Sequence, residues 1–408
     1  MDHMPGAVIG GEPVPADGAL PDSALAGAEE RPFGIYVHVP FCATRCGYCD
    51  FNTYTAGELG GGPHSPGTSV SPATYADLAI AELRFARKVL GAAARPASTV
   101  FFGGGTPTLL APAAFGAILE AIGTEFGLAE GAEVTTEANP ESVTEASLGE
   151  LRSGGITRMS FGMQSAVSEV LTVLDRTHRP GRPEQCVRWA RQAGFEHVSL
   201  DLIYGTPGES DADWERSLNA AIAAGPDHVS AYALTVEQGT RLAARVRRGE
   251  LAAPDDDILA GRYVIADQTL SAAGYHWYEI SNWAAGDDAR CAHNMLYWTG
   301  GDWWGIGPGA HSHVGGTRWW NVRHPAAYAG RIEAGVSPGQ AREVLTGEER
   351  QLERVMLEIR LADGYPLPAV DATAIAALDG LVATVGDRLF LTQRGRLLAD
   401  TVVRALTP

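Results

Sequence analysis

Long apolar runs, an excess of basic residues and a large set of cysteines are all absent from this 408-residue chain. No stretch has the uninterrupted apolar length of a membrane-spanning helix, and the N-terminal residues lack the basic and apolar segments of a secretory signal. A formal net charge of -18 argues against binding to nucleic acid and against a polybasic membrane surface. Five cysteines are too few for a disulfide framework in a chain of this length.

Three of the five cysteines stand close together, in the stretch FCATRCGYCDFN. Cys42, Cys46 and Cys49 are separated by three and then by two residues. Neighbouring thiolates repel one another and oxidise readily, so a loop this rich in sulfur usually holds a metal centre. Three thiolates satisfy three irons of a four-iron cluster and leave the fourth iron open to another ligand.

A structural zinc site is the alternative for this loop. Zinc usually takes four protein ligands, often from two C-x-x-C or C-x-x-H pairs. This chain has one such pair, and its other cysteines, Cys186 and Cys291, stand far away in the sequence. The spacing therefore favours the iron–sulfur cluster, and a thiolate triad without an export signal predicts a location in the reducing cytoplasm.

Strand-like and helical stretches alternate about six times after this loop, at intervals of roughly thirty residues. Such alternation is typical of a parallel α/β sheet, and both a doubly wound sheet and a (β/α) barrel would produce it. Polar residues at the ends of successive strands favour the barrel, because those ends meet at one mouth where barrel enzymes place their chemistry. These polar positions are the segment 103–107, Glu137, Gln164, Asp201 and Thr235.

The length exceeds what one hydrophobic core normally supports, so we predict a large domain with a smaller appendage. Residues 1–30, rich in Gly, Pro, Ala and acids, predict a poorly ordered tail, and residues 56–72, rich in Gly, Pro and Ser, predict a flexible surface loop. The predicted divisions are a partial (β/α) barrel core over 31–270, a barrel extension over 271–345, and a small helix-rich C-terminal domain over 346–408, with a winged arrangement as one option.

A glycine-rich segment, Gly103-Gly-Gly-Thr-Pro, follows one of the predicted strands. Glycines allow positive φ and let backbone amides approach a ligand without interference from a Cβ atom. A plain turn rarely uses three in a row, and a phosphate loop would need a Gly-Lys-Ser/Thr ending that is missing here. Glu137 could end a strand or accept hydrogen bonds from a ribose diol, and Arg176 has the fork geometry that binds a carboxylate.

Taken together, these motifs resemble the radical S-adenosylmethionine (SAM) family, whose cysteine spacing is the one seen here. Within that family the chain is similar to the subfamily of oxygen-independent coproporphyrinogen III oxidases and heme chaperones. The segments that carry the resemblance run in order from about residue 33 to residue 313: YVHVPFCATRCGYCDF, FFGGGTPT, TEANPE, SFGMQS, LDRTH, DLIYGTPGE, SAYALTVEQGT, YEISNWA and CAHNMLYWTGGDWWGIGPGAHS. The C-terminal LTQRGRLLAD is also similar to that subfamily's ending.

The resemblance implies a [4Fe-4S] cluster held by Cys42, Cys46 and Cys49, with SAM bound at the open iron. It also implies that the glycine-rich turn holds the amino group of SAM and that Glu137 holds the ribose. The residues implied to bind SAM are Tyr36, Tyr48, Gly104, Gly105, Thr106, Glu137, Gln164, Arg176, Asp201 and, with a slightly different spacing, Ala233.

Two branches of the subfamily differ in the cysteine loop. The oxidases carry a further cysteine two residues after the third, and here that position is Phe51. The chain has instead the HNxxYW segment of the heme chaperones, residues 293–298. The resemblance therefore implies a chaperone that binds heme and passes it to heme-requiring apoproteins such as respiratory enzymes, peripheral membrane proteins among them. Coproporphyrinogen III oxidation is the main alternative, and a radical SAM reaction on an unrelated substrate is the other.

His293 is the predicted heme ligand, because an imidazole or a thiolate can bind heme iron. A structural role for this histidine is the alternative. Nearby aromatic rings could offer a flat apolar surface to a macrocycle: Tyr297, Trp298, Trp303 and Trp304. The alternative is that these rings form ordinary hydrophobic core between the barrel and the appendage. The other candidate ligands are Cys291, His311 and His313.

Overall fold

The computed structural model describes residues 11–59, 70–367 and 371–407. Most of the stretch 56–72, predicted as a flexible loop, lies outside these residues. The strands are β1 (Glu12–Pro13), β2 (Phe33–Val39), β3 (Phe41–Cys42), β4 (Tyr54–Thr55), β5 (Ala97–Gly104), β6 (Leu128–Ala138), β7 (Arg158–Gln164), β8 (His197–Tyr204), β9 (His228–Ala233), β10 (His276–Glu279), β11 (Asn282–Ala284), β12 (Asp302–Ile306), β13 (His311–Val314), β14 (Thr317–Asn321), β15 (Gly339–Val344), β16 (Tyr365–Pro366), β17 (Val382–Val385) and β18 (Arg388–Leu391).

The helices alternate with these strands through the first half of the chain. They are α1 (Asp22–Leu25), α2 (Ala56–Leu59), α3 (Tyr75–Leu90), α4 (Pro112–Glu125), α5 (Glu145–Ser153), α6 (Ser168–Val173), α7 (Arg182–Gln192), α8 (Asp211–Ala224), α9 (Arg241–Arg247), α10 (Asp256–Ala272), α11 (Ala292–Trp298), α12 (Pro325–Glu333), α13 (Gly347–Glu358), α14 (Ala372–Ala376), α15 (Gln393–Leu397) and α16 (Ala399–Leu406). Within the described ranges, no helix is both long and apolar enough to cross a membrane.

Thirteen of the described strands form one open sheet, in the order β1-β15-β14-β13-β12-β2-β5-β6-β7-β8-β9-β11-β10. The strands β2, β5, β6, β7, β8 and β9 lie side by side in chain order and are all parallel. Each crossover therefore steps in the same direction, which places the connecting helices on one face and curls the sheet towards a barrel. The predicted partial (β/α) barrel is confirmed, and the doubly wound alternative is wrong.

The two faces of the parallel strands carry different side chains. Residues such as Val37, Phe102 and Leu200 are buried in the core against the helices. Their neighbours in sequence turn to the concave face, where polar groups meet: the Ser160 hydroxyl, for example, donates to the carboxylate of Asp201 on the next strand. Because successive side chains point to opposite faces of a strand, each strand presents apolar residues to the helices and polar residues to the concave interior.

Further strands extend the sheet on both sides of these six. On one side β12 pairs with β2, still in parallel, and β13, β14 and β15 then follow as an antiparallel meander. On the other side β11 and β10 add to β9. The meander was not predicted, and it provides part of the concave face discussed below.

Residues 11–30 are structured, so the prediction of a poorly ordered tail is wrong for them, while residues 1–10 lie outside the described ranges. Glu12 and Pro13 pair with strand β15. The guanidinium of Arg342 donates to the Glu12 carboxylate at 2.6 Å and to the Ala19 carbonyl at 2.8 Å. These contacts tie the segment to the rest of the chain, although its composition, rich in Gly, Pro, Ala and acids, predicted disorder.

A second, small core forms in the C-terminal residues. Val355, Ile359, Leu389 and Val402 pack together between helices and a three-stranded sheet of order β16-β18-β17. The strands β17 and β18 form an antiparallel hairpin. This unit covers the edge of the large sheet, since the Ala362 amide donates to the Tyr278 carbonyl of β10 at 2.9 Å.

Candidate functional site

The cysteine loop begins at the end of strand β2 and folds back on itself. The Cys49 amide donates to the Cys46 carbonyl at 3.3 Å, and the Arg45 guanidinium donates to the Thr53 carbonyl. All five cysteines of the chain are free thiols. Burial, followed by the nearby Cys46 and Cys42 sulfurs, raises the pKa of Cys49 to about 12, so this arrangement favours thiolates only when a cation neutralises them.

The donor set of the loop fits a four-iron cluster, because three thiolates can each bind a different iron of a cubane. Among the described residues, no group of three or more His, Cys, Asp or Glu side chains is placed to hold a single metal ion. The two remaining cysteines are engaged elsewhere: the Cys186 sulfur lies 3.5 Å from the Pro140 carbonyl and the Cys291 sulfur 3.6 Å from the Glu133 carboxylate.

The glycine-rich turn is bonded directly to the cysteine loop. The Gly105 amide donates to the Val39 carbonyl at 2.8 Å, and the Thr106 amide donates to the Phe41 carbonyl at 2.7 Å. Gly104 has a φ of +110°, and a Cβ atom there would lie only 2.7 Å from Cε1 of His38. A Cβ atom on Gly105 would lie 3.0 Å from the Cys42 sulfur. Both positions therefore need glycine, because a side chain there would prevent the turn from packing closely against His38 and the cysteine loop.

Two carboxyl groups face each other on the concave side of the barrel. Glu137 accepts a hydrogen bond from the Gly104 amide at 3.1 Å. Burial, followed by the charge of Asp201, raises the pKa of Glu137 to about 8. Burial likewise raises the pKa of Asp201 to about 6, against the hydrogen bond from Ser160. These oxygens are suited to accept hydrogen bonds from the hydroxyls of a ligand such as a ribose.

Arg176 and Tyr48 lie beside the middle cysteine. The Arg176 guanidinium donates to the Cys46 sulfur at 3.4 Å and to the Gly162 carbonyl at 2.7 Å. Burial raises the pKa of Tyr48, whose ring packs on the apolar cluster that includes Leu174. Arg176 thus presents a positive charge directly to one of the sulfurs predicted to bind the cluster.

Gln164 and Ala233 complete the rim of the mouth. Gln164 ends strand β7 with a positive φ of 63°, and its amide group folds back over Gly162. Ala233 is exposed at the last position of β9, opposite Tyr204 of β8. The structure thus brings most of the predicted cluster and SAM residues towards the carboxyl ends of the parallel strands. Tyr36 lies instead in the middle of β2, with its hydroxyl 3.0 Å from Nδ1 of His38.

His293 lies at the other end of the barrel interior. It is buried in helix α11, with Nδ1 2.8 Å from Oγ1 of Thr99 and Nε2 2.8 Å from the hydroxyl of Tyr297. Its ring also stacks on Phe101, with centroids 5.2 Å apart. Burial lowers its pKa to about 3. Both ring nitrogens are therefore engaged within the protein, and the prediction that His293 binds heme iron stays untested.

A polar cluster that the sequence reasoning missed holds α11 in this position. Glu133 on β6 accepts hydrogen bonds from the backbone amides of Ala292 and His293, both at 3.1 Å. Arg158 on β7 is fully buried, 3.6 Å from the Glu133 carboxylate, and donates to the Ala289 carbonyl at 2.9 Å. The period-two alternation from Glu133 to Glu137 is the signal that places Glu133 on the concave face.

Comparison with known proteins agrees with the cysteine loop and the barrel. A profile of the Radical SAM superfamily matches residues 36–221. The heme chaperone HemW of Mycobacterium tuberculosis (strain ATCC 25618 / H37Rv) is 53% identical over 387 residues, which cover 94% of this chain and 96% of that protein. The chain belongs to the HemW family of radical SAM proteins.

Other similarities extend over the same length. The heme chaperone HemW of Bacillus subtilis (strain 168) is 31% identical over 385 residues, covering 91% of this chain and 98% of that protein. The solved structure of coproporphyrinogen III oxidase (HemN) from Escherichia coli superposes with a TM-score of 0.79 at 22% identity, covering 96% of this chain and 94% of that one. The HemN likeness concerns the fold. Membership of the radical SAM superfamily implies a [4Fe-4S] cluster and SAM as cofactors.

Proposed function

We propose that this HemW-family protein is a heme chaperone, which binds heme and delivers it to heme-requiring apoproteins. The observation that carries the proposal is the 53% identity, over nearly the whole chain, to a protein named as a heme chaperone. The cysteine loop supports it, because Phe51 occupies the position of the further oxidase cysteine and is 54% exposed. Respiratory enzymes, including peripheral membrane proteins, are the acceptors that we infer.

The cluster in this proposal is held by Cys42, Cys46 and Cys49. When bound and reduced, the cluster would supply the electron for any chemistry on SAM. Arg176 lies beside the Cys46 sulfur and offsets its negative charge. The turn from Gly104 to Thr106 offers backbone amides, and Gly104 and Gly105 leave these amides open because they have no side chain.

The remaining residues of the mouth bind and orient the nucleoside in this proposal. Glu137 and Asp201 present acceptor oxygens to the ribose, while Gln164 and Ala233 close the rim and Tyr36 and Tyr48 flank the loop. Burial, followed by the charge of Asp201, raises the pKa of Glu137 to about 8, so Glu137 can hold a proton at neutral pH and donate as well as accept. Free thiols throughout the chain support the inference of a reducing cytoplasm.

Coproporphyrinogen III oxidation is the second candidate, favoured by the fold that the chain shares with HemN. The test uses anaerobically reconstituted protein in two parallel assays. One assay titrates heme and follows its absorption, and the other supplies coproporphyrinogen, SAM and a reductant. Stable heme uptake without decarboxylation supports the chaperone, whereas turnover to protoporphyrinogen without heme uptake would overturn it.

A further inference from the structure

The four candidate heme ligands named from the sequence differ sharply in their surroundings. His293 uses both ring nitrogens in buried hydrogen bonds to Thr99 and Tyr297. His313 is also buried, with Nδ1 2.9 Å from the Gly301 carbonyl and Nε2 accepting from the Gly316 amide at 3.1 Å. A nitrogen that is already engaged in a buried hydrogen bond must break it before it can bind iron.

The third candidate is a thiol, Cys291. It is only 3% exposed, and its sulfur faces the Glu133 carboxylate at 3.6 Å. Burial, followed by the charge of Glu133, raises the pKa of this thiol above its ordinary value. Because the thiolate is the form that binds iron, this environment opposes ligation.

His311, the fourth candidate, is exposed. Among the described residues, no hydrogen bond engages either of its ring nitrogens, although its backbone carbonyl accepts from the Trp303 indole at 3.0 Å. Partial burial, followed by the charges of Arg323 and Arg318, lowers its pKa, which favours the neutral imidazole that binds metals.

The surroundings of His311 match a flat, amphipathic ligand. It lies opposite Trp320 on the neighbouring strand, and the two rings stack with centroids 5.9 Å apart. Trp303 lies on the adjacent strand β12 and is partly exposed. His311 pairs with Trp320 on β14, and Trp303 on β12 pairs with residue 313, two positions along β13 from His311. Side chains two residues apart on a strand point to the same face, so the rings of residues 303, 311 and 320 share the concave face of the meander.

A cation stands at the edge of this aromatic surface. Arg323 is exposed, close enough to lower the pKa of His311, and its own carbonyl accepts hydrogen bonds from Asn52 and Tyr54 of the cysteine loop. A macrocycle with its iron at His311 would stand roughly at right angles to the stacked His311 and Trp320 rings, and the Arg323 guanidinium is the cation suited to pair with one of its propionates.

We propose that heme binds on the concave face of strands β12 to β14, with its iron bound by His311, whose imidazole is held by the stacked Trp320 ring, and with a propionate paired with Arg323. The proposal rests on the proposed heme-chaperone function and names the site for it. It also places the heme beside the cysteine loop and leaves His293 of the HNxxYW segment out of the ligation.

The test is a heme titration, followed by Soret absorption, on the full-length protein and four variants. His311→Ala should shift the Soret band and weaken binding roughly ten- to hundredfold, which corresponds to about 1.4 to 2.8 kcal/mol. Added imidazole should restore the wild-type Soret position in His311→Ala, an effect that a purely structural residue would not give. Arg323→Gln should weaken binding without shifting the band.

Two variants serve as controls. His276→Ala replaces another exposed histidine, at the start of β10, and should bind heme as the wild type does. His293→Ala tests the rival ligand. An unshifted Soret band in His311→Ala, together with a shift in His293→Ala, would overturn the proposed site and leave the chaperone function standing. A wild-type protein that takes up no heme would instead refute the function itself.

Discussion

Nδ1 of His293 lies 2.8 Å from Oγ1 of Thr99, a residue 194 positions earlier in the chain, and Nε2 lies 2.8 Å from the Tyr297 hydroxyl. These bonds join helix α11 to strand β5 in the barrel interior. His293→Ala takes this partner from the buried hydroxyl of Thr99 and the half-buried hydroxyl of Tyr297, so we expect it to lower the free energy of unfolding by about 2 to 4 kcal/mol. Urea denaturation should show this loss in His293→Ala and not in His276→Ala. Equal stability of the two variants would show that the bonds contribute little.

We expect the cluster to depend on three cysteines and on no others. Reconstituted protein should carry about four irons and four sulfides, and alanine at Cys42, Cys46 or Cys49 should abolish the charge-transfer absorption. Cys186→Ala is the matched control, because its sulfur is buried against the Pro140 carbonyl far from the loop. Tightly bound zinc, or loss of iron in the control, would contradict the assignment.

The cysteine loop is anchored to the meander by Asn52. Its amide donates to the Pro308 carbonyl at 2.9 Å and to the Arg323 carbonyl at 2.8 Å. A Cβ atom on Gly309 would lie 2.6 Å from that amide nitrogen. If the two bonds contribute about 1.4 kcal/mol, Gly309→Ala should make the cluster about tenfold more sensitive to an iron chelator.

Gly335→Ala provides the control for that experiment. Gly335 has a φ of +69°, close to the +74° of Gly309, but nothing lies within 4 Å of its Cβ position. Both variants therefore carry the same backbone strain, and only Gly309→Ala disturbs Asn52. The same chelation rate in both would show that the anchor has no influence on the cluster.

SAM binding should require the open backbone at Gly104. Gly104→Val would place its Cβ atom 2.7 Å from Cε1 of His38, and its φ of +110° is strained for valine. We expect SAM binding, measured by equilibrium dialysis on the cluster-loaded protein, to be lost. Gly131→Val, with a φ of +70° and nothing nearby, should bind normally. Unchanged affinity in Gly104→Val would show an ordinary turn.

A buried carboxyl group outside the site should make stability depend on pH. Glu82 accepts hydrogen bonds from the Gly307 amide, the Asn321 side chain and the Tyr328 hydroxyl, and burial raises its pKa from 4.5 to about 7. The folded protein therefore holds a proton that the unfolded chain has already lost in this window. Stability should fall as pH rises from about 4.5 to about 7, by about 3 kcal/mol.

Glu82→Gln removes this titration and should flatten the unfolding free energy over the same pH window. The comparison requires chemical denaturation at several pH values for both proteins. A slope that persists unchanged in Glu82→Gln would assign the pH dependence to other groups.

The sequence alone predicted the parts of the protein that local pattern encodes. The spacing of Cys42, Cys46 and Cys49 and the glycines from Gly103 lie within single loops, so their chemistry is visible without a fold. The alternation of strands and helices predicted a parallel α/β sheet. The polar residues at the ends of successive strands then favoured the barrel, because those ends meet at one mouth.

Only the tertiary structure decided how distant segments use their side chains. His293 and His311 are both histidines beside aromatic residues, and the sequence favoured His293 as the ligand. Folding surrounds His293 with Thr99 and Tyr297 and leaves His311 exposed against Trp320. The pairing of Glu12 and Pro13 with β15 likewise depends on a strand more than 300 residues later in the chain. Each outcome depends on partners from remote parts of the chain, and a hydrogen bond or a buried contact exists only when both partners are in place.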